Sequence, residues 1–553
     1  MFPSFDEREK FGLARSALCY HGGMKVPSLT TAAVGGRPTW AKVGTHTHLV
    51  RNIDAGDDVA LENLLAWARE TGVGAVGLGS PWTHLSGLAY RRCEREDRDR
   101  YYAGLLDREP LLFRDDIAAM LKRANEAAEG GTFFYLDNET PKQRYGHLWH
   151  VGFDYQVPAW HDYDQDRRAS YCDLDPVEDP NPLDPRGAHF RRTYSEIIAR
   201  QRAAGALSVW AHPTSWWTNR DGSFVTNIAA ALAPNLFADG GLDGLTVQGY
   251  DACHHDYQAL WFHLLDKGFH VPGFSELDLS PAHGTAGKGH ALFNCIAGLD
   301  RPPTMDEMKA AFRNARHTMS SGPYLTLEAD GHPQGSSLES GPDVVHRVRV
   351  VAWPAPGEAA LARVELVGTG GAVLAVLRDF PGGTLEFAVE GDARGGWILA
   401  RAFGEKDGDY ATRRQQSVRH CALTNPVWLR APQTPRPSPV SMQVRLRAGT
   451  SAGAPLRLVA ADGSELWRRA LPEDGLAFEA SPTARLEIGR PGGASPRVLP
   501  LAATSRRVRA LMDYLADGHF RRDFPGLVPG QVPVTAFRLD EMPAALETLE
   551  ITA

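Results

Sequence analysis

Trp40-Ala41-Lys42-Val43-Gly44-Thr45-His46-Thr47-His48 is a short apolar run that closes on a His-x-His pair. Strand side chains alternate between faces, so residues two apart point the same way. His46 and His48 therefore project together from the end of a short strand, two imidazoles able to grip one metal ion. A pair like this also serves on surfaces and in packing, so the rest of the chain has to decide its role.

Outward from that pair the chain alternates strands and helices. Asp57 and Asp58 suit the start of a helix whose apolar positions, Leu61, Leu64, Leu65 and Ala68, share one face, with Gly72 as its stop. Residues 73–78 read as a buried strand, 115–128 as a helix, and 132–136 as a strand running into Asp137-Asn138-Glu139. Residues 155–192, rich in Asp, Pro and Arg, read as a long loop. A helix over 194–204 leads to a strand over 206–211 that ends at His212-Pro213. A strand over 242–247, a helix over 257–267 and the run 270–275 follow, the last entering Glu276-Leu277-Asp278. Thr304 and Glu307 have the spacing of a capping box for a further helix. Polar residues recurring just past strand ends point to a parallel α/β architecture and, by the placement of such residues, to a (β/α) barrel.

From residue 321 onward short alternating strands separated by Gly and Pro indicate antiparallel β-sandwich modules. The expected organisation is an N-terminal arm over 1–40, the barrel over 41–320, a β-sandwich over 321–432, a small β module over 440–500, and a C-terminal helix (506–516) and tail over 501–553.

The 553 residues exceed what one compact core accommodates. With 43% hydrophobic and 23% charged residues the composition is that of a globular protein, and the net charge of −8 does not suit a nucleic-acid surface. No apolar run has the length of a bilayer span, and the charged N-terminus is unlike a secretory signal. The expected setting is cytoplasmic, or periplasmic for a chain whose leader has been removed, with no nucleic-acid or membrane partner; a homo-oligomer is compatible with the sequence. Six scattered cysteines, none in a close pair, fit free thiols. Fifteen of the twenty histidines and nine of the thirteen tryptophans precede residue 300, so the chemistry is sought there.

Four more positions repeat the geometry of the His pair, a ligand-type side chain beside a strand end: Glu139, His147, His212 and Asp278. Several imidazoles with two carboxylates suit Zn, Mn or Fe better than Mg or Ca, which favour oxygen donors. Taken singly, Glu139 and Asp278 also suit helix caps or loop hydrogen bonds, and His212 a buried core position.

His46-Thr47-His48, Glu139 with Gly146-His147, and Ala211-His212-Pro213 together resemble the PHP metallohydrolase superfamily. The runs 261–268 and 317–324, Asp330-Gly331, Gly396-Trp397 and 420–426 make the resemblance closer to the CehA/McbA-type metallohydrolases, over residues 41–432. The resemblance implies a distorted barrel with one to three divalent transition metals (Zn, Mn or Fe) held by His46, His48, Glu139, His147, His212 and Asp278. Two stretches depart from the family pattern. Gly79-Ser80-Pro81-Trp82, with His84 beyond it, stands where an Asp-His pair is usual. Ser275-Glu276-Leu277-Asp278, with His283 further on, stands where Ser-Asp-x-His is usual. Glu276 competes with Asp278 for the ligand role, and His283 is a further ligand candidate.

The reaction expected is hydrolysis of an ester, carbamate or phosphoester by a metal-bound hydroxide, with Asp278 orienting the water or taking its proton and His283 or His84 protonating the leaving group. Trp82, Trp149, Trp160, Trp216 and Trp217 suit either stacking on an aryl or sugar substrate or packing, and Lys288 a contact to an anion. The alternatives are a carbohydrate-active metalloenzyme, glycosidase or lyase, and a non-catalytic glycan-binding protein. The substrate in each case is a small molecule or a glycan.

Overall fold

The computed structural model describes residues 24–32, 36–47, 58–79, 121–140, 148–152, 194–203, 205–213, 216–218, 224–226, 235–249, 254–277, 292–411, 417–437, 441–490, 496–501, 514, 520–523 and 545–552. Strands β1 (Lys25–Ala32) and β2 (Trp40–Gly44) are followed by helix α1 (Asp58–Thr71) and β3 (Ala75–Gly79). Next come β4 (Phe133–Thr140), β5 (Leu148–Val151), α2 (Tyr194–Ala203) and β6 (Leu207–Trp210). A short hairpin, β7 (Trp216–Thr218) with β8 (Phe224–Thr226), precedes β9 (Gly244–Gln248), α3 (His254–Asp266) and β10 (Gly273–Ser275). Then follow β11 (Phe293–Ala297), α4 (Met305–Arg313) and β12 (Thr318–Ser320).

Local signals shape these elements. Leu61, Leu64, Leu65 and Ala68 are buried along one face of α1, and Gly72, at φ 61°, makes the left-handed turn that ends the helix. At α4, Thr304 Oγ1 accepts from Glu307 N and Glu307 Oε2 accepts from Thr304 N, the reciprocal capping box. Arg301 and that cap hold the Glu307 carboxyl down at about 2.

The (β/α) barrel does not form. Among the described residues strand outweighs helix, and the largest sheet follows the open order β10-β9-β6-β5-β4-β3-β2-β11-β12 before running on into strands of the C-terminal half. Pairing is parallel at β2–β3, β3–β4, β6–β9 and β9–β10, but antiparallel at β4–β5, β5–β6, β2–β11 and β11–β12. The reason is β5. Leu148–Val151 inserts between β4 and β6 and pairs antiparallel to both, which breaks the strand–helix–strand repeat a barrel needs. At the other end β11 hands the ladder to β12 instead of to β10. Among the described residues no strand ladder joins β10 to β2 or β11. The gap is spanned by one backbone bond, Leu277 N to Thr45 O at 3.0 Å, by the Thr45 hydroxyl on Ser275 O, and by the Asn294 side chain.

The C-terminal half contributes β13 (Tyr324–Ala329), β14 (His332–Pro333), β15 (Ser337–Glu339), β16 (Val345–Trp353), β17 (Leu361–Gly368), β18 (Ala372–Phe380), β19 (Gly383–Glu390), β20 (Gly396–Ala411), β21 (Ser417–Thr424) and β22 (Val427–Arg430). One sheet has the order β1-β19-β16-β13-β14, and the facing layer is β12-β21-β20-β17-β18, the continuation of the large sheet. Alternate residues such as Leu325, Val348, Val350, Leu366, Phe387 and Ile398 fill the space between them. Lys25–Ala32, inside the stretch read as an irregular arm, is an edge strand of the first of these sheets, antiparallel to β19. Further on, Ser441–Arg447 lies between Leu476–Ala480 and, in parallel, Ala545–Thr552, while Pro455–Val459 and three neighbours form a four-stranded sheet. The loop over 155–192 and the tail helix expected over 506–516 lie outside the described residues, apart from Tyr514. Among the described residues no helix is long and apolar enough to cross a membrane.

Apolar cores cover both faces of the large sheet. On one, Val43, Ala75, Tyr135, Trp149, Val209 and Phe274 pack against Met308 and Phe312 of α4. On the other, Leu148, Trp210, Leu245, Trp261 and Leu264 pack continuously with Leu456 and Leu486 of the last module. The large sheet meets the sandwich at a buried clasp. Gly273 N donates to Asn425 Oδ1 at 2.7 Å, Gly273 O takes a proton from His317 Nε2 at 2.8 Å, and Asn425 Nδ2 donates to His317 O at 2.9 Å.

His317 and His150, the latter bonded to Ser208 Oγ at 2.9 Å, are fully buried, and burial drives their imidazoles down to about 4 and about 3. Both are neutral in the fold, whereas in the unfolded chain each takes a proton near 6.5. Below that pH the unfolded state binds the extra protons, so stability is lost as pH falls. The expected slope is about 1.4 kcal/mol per pH unit per histidine, ending near 4 for His317 and near 3 for His150. Urea midpoints measured from pH 7.5 down to 4.5 should fall steadily below pH 6.5; a flat profile down to pH 5 would contradict this account.

Candidate metal centre

The first candidate ligand stands where β2 stops. Gly44 ends the strand with its carbonyl accepting from Tyr135 Oη at 3.0 Å, and Thr45 Oγ1 donates to Ser275 O at 2.7 Å. Thr47 Oγ1 donates to Gly77 O beyond it. Between the two threonines the backbone turns to a positive φ, 57° at His46, and the His46 N–H is held by Asp137 Oδ2 at 2.6 Å. Gly77 has to be glycine here, because a Cβ at that position would run into the Asp137 side chain. The second candidate follows β6, where His212 also has a positive φ of 22°. Such values are costly for residues other than glycine, and sites that keep them are enriched in function.

These two turns aim their imidazoles at one another. The rings of His46 and His212 lie 5.8 Å apart between centroids with an interplanar angle of 24°, and Trp149 flanks His46 at 6.2 Å. Glu276, immediately after β10, ties them together. Its Oε2 is 2.9 Å from His46 Nδ1 and accepts from Thr246 Oγ1 at 2.8 Å, while its Oε1 accepts from His212 N at 3.0 Å. Trp149 Nε1 donates in turn to Thr246 Oγ1 at 3.2 Å. The whole group is withdrawn from solvent, with Asp137 and Glu276 at 0%, His46 at 1% and His212 at 3% exposure. Burial and the nearby Asp137 charge also push the Tyr135 phenol well above its usual range, so it serves as a neutral donor.

The two imidazoles brought together are donors of the kind that transition metals take. An ionised carboxylate only accepts hydrogen bonds, so Glu276 places the His46 proton on Nδ1 and the lone pair on Nε2. A carboxylate behind a histidine is the usual support of a metal-binding imidazole. Two nitrogen donors favour Zn, Mn or Fe over the oxygen-seeking Mg and Ca. Among the described residues, however, no group of three or more His, Cys, Asp or Glu is gathered as a ligand set. His46 and His212 come together. Glu139 occupies the β4 position opposite Trp149. His48, His147 and Asp278, with the acid–base candidates His84 and His283, lie outside the described residues, as do Trp82, Trp160 and Lys288.

Two contributors escaped the reading of the sequence. Asp137 precedes the acid expected as a ligand, and Thr246 lies inside an apolar strand with no motif around it. Trp149, one of the tryptophans offered for substrate stacking, is a core residue of β5, fully buried and edge-on to Phe274 at 5.5 Å.

No family model matches the chain, and no curated protein matches it. Among solved structures, the major pilin subunit of Bacillus cereus is 10% identical over 32% of this chain and 63% of that one, with a TM-score of 0.13. A C-terminal fragment of the major pilin of Streptococcus agalactiae is 8% identical over 41% of this chain and 99% of that one, also at 0.13. An engineered protein is 13% identical over 70% of this chain and 86% of that one, at 0.18. This chain thus spans 63% of the length of the Bacillus cereus pilin it overlaps. Overlaps at these TM-scores assign neither fold nor activity.

Proposed function

We propose that the site formed by His46 and His212 holds a divalent transition metal and that the protein hydrolyses an ester, carbamate or phosphoester of a small molecule. One observation carries the reading. Two histidines distant in sequence, each on a positive-φ turn at a strand end, stack their rings 5.8 Å apart, and one buried carboxylate bonds the ring of His46 and the backbone N–H of His212. Packing alone gives no reason to hold two such turns and to bury Glu276 between them.

His46 and His212 are the nitrogen donors, and ligands from Glu139, His48, His147 or Asp278 complete the set in this proposal. A divalent ion there supplies Lewis acidity, polarising the bond to be broken and acidifying water. The chain does the rest. Glu276 holds the proton on His46 Nδ1 and fixes the ring plane, Asp137 fixes the backbone beneath it, and Thr246 with Trp149 closes the floor against water. Buried donors and acceptors of this kind are set before substrate arrives, so little reorganisation accompanies the reaction.

The test is elemental analysis of the purified full chain, followed by stripping and reloading with Zn, Mn or Fe and assay against aryl esters, carbamates and phosphoesters. The expected result is at least one tightly held ion per chain and chelator-sensitive turnover of one class. A chain that takes up no transition metal, or that is fully loaded yet inert towards all three classes, would overturn the proposal.

A further inference from the structure

A second constellation lies in the sandwich, built from three separate pieces of chain. Asp330 and Gly331, at φ 51° and 79°, form the turn between β13 and β14. His346 is the second residue of β16, and Ser340 follows β15, anchored by its own N–H to Arg430 O at 2.6 Å. His346 Nδ1 lies 2.7 Å from Asp330 Oδ2, and His346 Nε2 lies 2.9 Å from Ser340 Oγ. The other Asp330 oxygen accepts from Arg347 N at 2.8 Å, so each carboxylate oxygen is held by one bond.

The chemistry of this chain of bonds is directional. An ionised Asp330 accepts only, so the imidazole proton sits on Nδ1. Nε2 then carries the lone pair and accepts from the Ser340 hydroxyl, the arrangement in which a serine is a nucleophile. The environment suits that role. The His346 side chain is 1% exposed, which shields the pair from water, whereas Asp330 is 39% exposed and Ser340 is half-buried. Around the hydroxyl the chain has removed side chains. Gly391 packs against this segment so closely that a Cβ there would strike both the Gly341 backbone and Ser340 Oγ.

We propose that Ser340, His346 and Asp330 form a second, metal-independent site that reacts with small activated carboxylic esters. Ser340 Oγ bonds to the acyl carbon as its proton passes to His346 Nε2. The ester C–O bond breaks and the leaving alkoxide takes that proton. Water then adds to the acyl-serine, with His346 receiving a water proton and returning it to Ser340, and the carboxylic acid departs. Ser340 and His346 are the catalytic residues; Asp330 is a positioning residue that holds the tautomer.

The full chain, treated with excess chelator so that metal chemistry at His46 and His212 is silent, is reacted with diisopropyl fluorophosphate, and the adduct is located by peptide mass spectrometry. The expected product is one diisopropylphosphoryl group on Ser340, formed with loss of fluoride, and a Ser340-dependent burst with 4-nitrophenyl acetate. Asp330→Asn, an exposed and nearly isosteric change, should slow labelling at least 100-fold, while Asp330→Glu, which keeps the carboxylate, should restore part of the rate. The thermal midpoint of each variant establishes that it is folded. Absence of an adduct on Ser340, or labelling of Asp330→Asn at the parental rate in a folded protein, would show that the three side chains serve only to brace the turn.

Discussion

In the proposed metal centre, replacing Glu276 with glutamine should weaken zinc binding by about 10–100-fold, the range seen when the group behind a metal-binding histidine is removed. The two side chains have the same shape, so the effect isolates hydrogen-bond polarity. Glu276 accepts three bonds, from His46 Nδ1, Thr246 Oγ1 and His212 N. Glutamine offers one oxygen and one amino group. With its oxygen on His212 N, the amino group faces His46 and Thr246. His46 then accepts at Nδ1 and its proton moves to Nε2, the atom a metal requires. With its oxygen on His46, the amino group confronts the His212 N–H, two buried donors with nothing between them. The second arrangement costs about 1–3 kcal/mol of stability and the first costs the metal its ligand. Competition against a chromophoric chelator measures the affinity, and thermal midpoints with and without zinc separate the two arrangements. Unchanged zinc affinity together with an unchanged midpoint would remove Glu276 from the site. Glu276→Asp, which keeps the charge and shortens the reach, should fall between.

The helices and strands were legible where periodicity speaks. The face of α1 and the cap of α4 follow from spacing alone, because one helix turn and one capping box are local events. His46 and His212 were legible for the same reason, each standing where an apolar run ends. The barrel was not, because its failure is a matter of pairing. Leu148–Val151 is four residues long, fully buried on both faces and so without alternation, and nothing in Leu-Trp-His-Val says that it runs antiparallel between two strands far apart in sequence. Glu276 stood as one of two acids competing for a single role, and only its bonds to His46 and His212 distinguish it. Asp137 and Glu139 are two residues apart, a separation at which alternation cannot rank one acid over the other. Thr246 becomes relevant only once β9 lies beside β10.

Asn294→Leu should be among the most damaging single changes near this site. Where the open sheet would have to close, Asn294 on β11 substitutes for a strand ladder. Its Oδ1 takes the Ser275 N–H at 2.8 Å, and its Nδ2 donates to Ser275 O at 2.9 Å and to Thr45 Oγ1 at 3.1 Å. One amide side chain thus mimics the backbone of a neighbouring strand and holds β10 against the turn that carries His46. Leucine fills a similar volume but leaves the Ser275 N–H buried without an acceptor, while Ser275 O keeps only the Thr45 hydroxyl. The orphaned donor and the lost acceptor bond together cost about 2–4 kcal/mol. The effect is local as well as global, because Glu276 is the next residue. With β10 unpinned, the carboxylate that sets the His46 tautomer loses its fixed position, and the zinc affinity of the proposed centre should fall with it. Amide exchange at Ser275 and Leu277 should speed up at least 100-fold in Asn294→Leu relative to the parent chain, ahead of any change in the sandwich amides. If the Ser275 amide stays as protected as before and the urea midpoint does not move, then Leu277 N to Thr45 O and the Thr45 hydroxyl on Ser275 O are enough to hold the two edges together, and the Asn294 bridge is dispensable.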